Sequence, residues 1–229
     1  MKYLLIILAY LCLGFDTIGW RAVTASGNNK QPVFDMARIK MNALLAISDI
    51  PFVTMSAGET LFPATKTELA TAIKEQGAKA RGCFVYLTSH GSEQDGITFG
   101  GINDTLDPKE LDAMLDAGCG TKPQLIIVSS CHSGIFYNEK VMQKPWRVIL
   151  TSAAPNRDSW YNGSGEVFDN CLVKAFEEGT AQNWHQVMAQ VQECVSFTED
   201  IFGVKHSKPD GFQGSMASDE LFPQLLPNQ

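Results

Sequence analysis

Positive charge is scarce in this chain: Lys and Arg total 18 against 25 Asp and Glu, for a net charge of −7. A surface that binds nucleic-acid phosphates needs clustered Lys and Arg, so no nucleic-acid partner is expected. There is no internal repeat, low-complexity tract or long linker, which excludes solenoid and fibrous architectures. Also missing is an apolar run of the roughly 20 residues that cross a bilayer. The longest, "YLLIILAYLCLG", runs from Tyr3 to Gly14 behind Met1-Lys2. That length and those flanks suit an export signal better than a membrane span or a first buried strand. The expected division is a signal peptide over 1–19, cleaved somewhere from Gly14 to Gly19, then a single domain over 20–229 with no integral membrane span.

Metal-site spacing is absent too. Only four histidines occur; no two ligand-type residues stand at helical metal-binding spacing, and no general-base carboxylate accompanies them. No metal and no cofactor are expected.

What is present describes a globular protein: 45% hydrophobic and 19% charged residues over 229 positions, enough for a sizeable core. Strand-like and helix-like stretches alternate. "WRAVTAS" (20–26), "PFVTMS" (51–56), "CFVYLTS" (83–89), "LIIVSS" (125–130) and "WRVILTS" (146–152) read as strands. A weaker last strand is expected near "QGSMAS" (213–218). Between them, 34–47 carries apolar residues at helical spacing. Thr65 and Glu68 form a capping box for a helix to about Lys79. Asp107, Pro108 and Glu110 open another, which Gly118 is expected to stop. Two helices follow, over about 167–178 and 184–198, separated by Gly179. This alternation predicts an α/β fold whose mostly parallel sheet of about six strands is covered on both faces. In such sheets functional groups collect at the carboxyl ends of the strands.

Two of those ends carry reactive groups. The apolar run Leu125–Val128 gives way to Ser129, Ser130, Cys131, His132, Ser133 and Gly134. A cysteine kept for packing would sit within the run, not beyond it. "FVYLTSHGS" (84–92) ends likewise, on His90 and Gly91. If the two strands are neighbours, imidazole and thiol emerge at one edge. A thiolate is the nucleophile, and a nearby imidazole can take its proton and later protonate a leaving amine. The N–H groups of Gly91 and Cys131 are placed to bind the oxyanion, and Ser133 and Gly134 leave room for a substrate backbone. His132 is a poorer base, because adjacent side chains at a strand end point apart; His185 and His206 fall on expected surface.

Export alters the cysteine arithmetic. Without Cys12 there remain Cys83, Cys119, Cys131, Cys171 and Cys194. An odd number in an oxidising compartment suggests two disulfides and a free thiol, with four cysteines able to pair in three ways.

"YLTSHGS" followed by "VSSCHSG" resembles peptidase family C13, the legumain-like cysteine peptidases of the caspase clan, and in particular its small exported bacterial members. "PVFDMARIKMNALLA", "AGCGTKPQLIIVSSCHSG" and "ILTSAAPNRDSW" extend the resemblance across most of the chain. It implies a caspase-like three-layer α/β/α sandwich and a catalytic pair at His90 and Cys131, acting on peptide or protein substrates through a thioester that water or an amine resolves. It also implies a substrate pocket drawing on Asn29, Ser129, Ser152 and Glu166. Gln31 stands where the family's pocket arginine is expected, and Ser129 where legumain has an acidic residue, so the asparagine pocket is incomplete. Glu166 suits an amide or a basic side chain, and equally suits a helix N-terminal charge. With the strands so ordered, Cys83 and Cys119 both precede active-site strands at the opposite sheet edge, and Cys171 and Cys194 lie on consecutive helices. Cys83–Cys119 and Cys171–Cys194 are the expected bridges. A caspase-like shell that binds without turnover is the alternative class; the intact His90–Cys131 pair argues for an enzyme.

Overall fold

The computed structural model describes residues 19–27, 31–57, 64–101, 104–181 and 183–217. Asn29 and residues 1–18 of the expected signal segment lie outside the described residues.

The central sheet contains β1 (Trp20–Ser26), β2 (Phe52–Ser56), β3 (Gly82–Thr88), β7 (Gln124–Ser129), β8 (Arg147–Thr151) and β11 (Asp210–Gln213). Their order across the sheet is β11-β8-β7-β3-β1-β2. All neighbours run parallel except β11, which pairs antiparallel with β8. Short strands β4 (Gly91–Ser92), β5 (Gly96–Gly101) and β6 (Asp104–Leu106) form a small sheet after β3, and β9 (Tyr161–Asn162) and β10 (Gly165–Glu166) a hairpin after β8.

Alternation along the buried strands sends successive side chains to opposite faces. Phe84 and Tyr86 join Ala22, Leu125 and Ile127 in one core. That core is closed by Met41 and Leu44 of α1 (Pro32–Ile47), Phe168 and Leu172 of α5 (Val167–Glu178) and Val191 of α6 (Trp184–Phe202). Val85 and Leu87 point the other way, toward Leu69 and Ile73 of α2 (Lys66–Lys79) and Leu111 and Leu115 of α3 (Pro108–Gly118). A six-stranded, mostly parallel sheet between two helical layers is the three-layer sandwich expected.

Helix ends follow local chemistry. Thr65 Oγ1 accepts from the Glu68 N–H at 3.2 Å. Asp107 and Glu110 satisfy each other's backbone N–H groups in a full capping box. One boundary matches expectation and one differs. Gly118 is the last residue of α3; a Cβ there would meet Ile73 of α2 at 2.8 Å, and the left-handed turn falls on Gly120 at φ 60°. The glycine at the helix stop also permits close helix packing. The last strand is β11 at Asp210–Gln213, earlier than 213–218, because its four residues fill the free edge of β8 from Thr151 to Val148.

At the amino-terminal rim of the sheet, fully buried Arg147 donates to Asp112 at 2.6 Å, Asp116 at 2.9 Å and Gln124 at 2.7 Å, tying β8 and β7 to α3. Cys83 and Cys119 join β3 to the end of α3 (Cα–Cα 6.3 Å), and Cys171 and Cys194 join α5 to α6 (Cα–Cα 5.7 Å). Such bridges stabilise by restricting the unfolded chain, here about 4 and about 3 kcal/mol for their loop lengths. Cys131 is the described cysteine without a sulfur partner.

Candidate active site

Strand register brings the two reactive residues together. β3 and β7 pair with a constant offset, Cys83 with Gln124 through to Thr88 with Ser129. The Ser89 N–H continues the ladder to the Ser129 carbonyl at 3.2 Å. Two residues past the last pair, the same offset sets His90 opposite Cys131. Contact beyond that point is close: a Cβ on Gly91 would collide with the Cys131 carbonyl oxygen and approach the Ser130 hydroxyl at 2.7 Å. Only glycine fits between the two strand ends. The Thr98 N–H donates to the His90 carbonyl at 2.8 Å, and Gly91 pairs with Ile97. In an antiparallel ladder that pattern turns the Gly91 N–H away from β5, leaving it available to another acceptor.

Both side chains rest uncharged. The ring of Phe34 on α1 meets the His90 imidazole edge-on, centroids 4.9 Å apart. Burial there pushes the His90 pKa below the usual histidine value. The Cys131 thiol is pushed up, first by burial and further by the Asp158 carboxylate, while the Ser159 N–H acts against the rise. That N–H lies 3.4 Å from Sγ, and the Ser159 carbonyl accepts from the thiol at 3.6 Å. The shifts of both groups favour their neutral forms.

Ser129 is fully buried and donates to Asp169 Oδ2 at 2.7 Å. Ser152 is fully buried as well; its hydroxyl accepts from the Ser130 N–H at 2.9 Å and donates to the Ser130 carbonyl at 3.0 Å. Both hydroxyls brace strand ends, because inward-facing polar groups at a rim must be paired within the protein. Glu166 is buried at the start of α5, its side chain makes no capping bond, and Oε2 has no partner. Burial, with the Asp169 carboxylate beside it, raises its pKa to about 9. The helix-charge role fails, since a protonated carboxyl carries no charge to set against the helix end. Asp169, raised to about 6 chiefly by burial, sequence reasoning missed. Standing three residues beyond Glu166 in a helix's first turn, it reads as an ordinary helix-start acid.

His132 points away from the thiol, with its Nδ1 2.9 Å from the Pro155 carbonyl. His185 is exposed, and His206 pairs with Asp200 at 2.8 Å. Among the described residues no group of three His, Cys, Asp or Glu could hold a metal, and no helix is long and apolar enough to cross a membrane.

A family model described as the Peptidase C13 family matches residues 73–205, which include both strand ends. No curated protein matches the sequence. Among solved structures, caspase-1 from Spodoptera frugiperda is similar, with a TM-score of 0.62 at 17% identity, covering 85% of this chain and 86% of that one. At that identity the likeness speaks for the fold alone.

Proposed function

Starting from a chain that belongs to the peptidase C13 family, we propose an exported cysteine endopeptidase with Cys131 as nucleophile and His90 as general acid and base. The observation that carries this is the convergence at Gly91, whose missing side chain lets the His90 and Cys131 strand ends touch. His90 takes the thiol proton while the sulfur attacks the scissile carbonyl carbon. The oxyanion is received by the N–H groups of Gly91 and Cys131. Collapse breaks the C–N bond, the amine leaves with the proton from His90, and a thioester remains. Water, or a second amine, then releases the acyl group and frees the thiol.

Glu166 is proposed as the buried floor of the substrate pocket, with Asp169 beside it and Ser129 bracing Asp169; Asn29 and Ser152 are proposed as further residues of that pocket. At neutral pH a carboxyl of pKa about 9 is protonated and offers both a donor and an acceptor. That suits an uncharged amide side chain of the substrate better than a cation. Two cysteine pairs at disulfide distance fit an oxidising compartment outside the cytoplasm. Thiol titration of the unreduced, exported protein should find one reactive group; three or five would count against export with these bridges.

The test is cleavage-site profiling on a peptide library with wild type, Cys131→Ala and Glu166→Gln. Activity lost in Cys131→Ala, and a side-chain preference altered in Glu166→Gln, are expected. Full activity in Cys131→Ala would end the proposal.

A further inference from the structure

The residue after the cysteine has a ring that the chemistry above does not use. His132 adopts the left-handed region at φ 59°, where side chains are uncommon. From there it makes three contacts with the loop after β8. Its N–H donates to the Arg157 carbonyl at 2.7 Å, Nδ1 reaches the Pro155 carbonyl at 2.9 Å, and Nε2 lies 3.4 Å from Asp158 Oδ1. A carbonyl only accepts, so Nδ1 carries a hydrogen. The next loop residue is Ser159, whose N–H points at the sulfur of Cys131. On its far side the loop is held separately: Ala154 donates to the Ser207 carbonyl at 2.8 Å and Trp160 Nε1 to the Lys205 carbonyl at 2.7 Å.

We infer that His132 is a positioning residue that clips the loop 155–158 so that the Ser159 N–H stays on the Cys131 sulfur. The clip rests on reading Cys131 as the nucleophile. An N–H directed at sulfur favours the thiolate, and such a contact weakens steeply when distance and angle drift. The titratable groups acting on the sulfur are Asp158 in the loop and Glu166 at the start of α5, with His90 at the end of the neighbouring strand; the Asp158 carboxylate opposes ionisation, and the Ser159 N–H is a counterweight. Its position is fixed from one side by two hydrogen bonds, to the N–H and Nδ1 of a single histidine adjacent to the nucleophile.

The test is the pH dependence of Cys131 alkylation by iodoacetamide, with kcat/KM measured alongside. His132→Gly removes the ring without straining a positive φ. His132→Asn places its amide nitrogen where Nδ1 stood and also tolerates that backbone region. In His132→Gly the alkylation midpoint should move alkaline by about one pH unit, with kcat/KM reduced about tenfold. His132→Asn should recover most of both. His132→Gln sets its nitrogen at Nε2 and loses the Pro155 bond, so it must fall with the glycine variant, and it decides the matter if His132→Gly does not fold. A His132→Gly profile that superimposes on wild type, or an asparagine variant no better than glycine, overturns the clip. So does complete loss of neutral-pH alkylation in all three variants, which would make His132 the base. The alkylation shift appearing in a protein without peptidase activity would keep the clip and discard the proposed function.

Discussion

Replacing Glu166 by glutamine should stabilise the protein at neutral pH, although it deletes a buried acid at the heart of the site. In the folded state Glu166 holds its proton up to pH about 9, against an ordinary value of 4.5 once unfolded. Between those limits the folded protein binds a proton that the unfolded chain has released. Stability from this group is thus fully present below 4.5 and declines as pH rises toward 9. At pH 7.5 the gap of three units corresponds to about 4 kcal/mol at 1.36 kcal/mol per unit. Glutamine, neutral in both states, avoids that cost. Urea unfolding of oxidised wild type and Glu166→Gln from pH 5 to 9 measures it. The variant should exceed wild type by on the order of 2–4 kcal/mol at pH 7.5, and the difference should shrink toward pH 5. Asp169, raised to about 6, adds a slope common to both proteins between its ordinary 3.8 and that value. A difference independent of pH, or a less stable glutamine variant at pH 7.5, would refute the reasoning.

Gly91→Ala must push its Cβ into the Cys131 carbonyl; kcat/KM should fall at least about 100-fold, since small misplacements at the reacting centre are costly, while circular dichroism stays native. A variant at wild-type activity would show that the two strand ends need no such contact. The acid limb of kcat/KM against pH should titrate below 6.5, because burial disfavours the protonated imidazole of His90; a midpoint above 6.5 would point to an imidazolium held by a negative partner. Arg147→Met breaks the link to Asp112, Asp116 and Gln124 and should cost about 3–5 kcal/mol in urea unfolding, with the pH profile of activity unmoved because the cluster lies at the far rim.

The sequence made the scaffold legible where apolar runs were long and abruptly ended. Leu125–Val128 and Phe84–Leu87 admit little but buried strands, and residues as unlike them as His90-Gly91 and Cys131-His132 mark their ends. A shared register then needed only that the strands be neighbours. What stayed hidden depends on contacts between distant segments. Gly118 reads only as a helix stop until Ile73 of α2 is seen packed against it. β11, "DGFQ", has neither alternation nor β-branched residues and becomes a strand by pairing with the edge of β8. Ser129 and Ser152 could be placed by position, but only the fold shows that Asp169 and Ser130 occupy their hydroxyls. The approach of Ser159 to the sulfur is a backbone contact, and a side-chain pattern carries no trace of it.

The central claim is that His90 activates the Cys131 thiol. It is tested most directly by mass-spectrometric timing of modification with a peptidyl chloromethylketone at pH 7, comparing wild type with His90→Ala. Rapid, single modification of Cys131 in wild type, slowed by about two orders of magnitude or more without the imidazole, is the predicted result. Modification of Cys131 at equal rates in both proteins would contradict it.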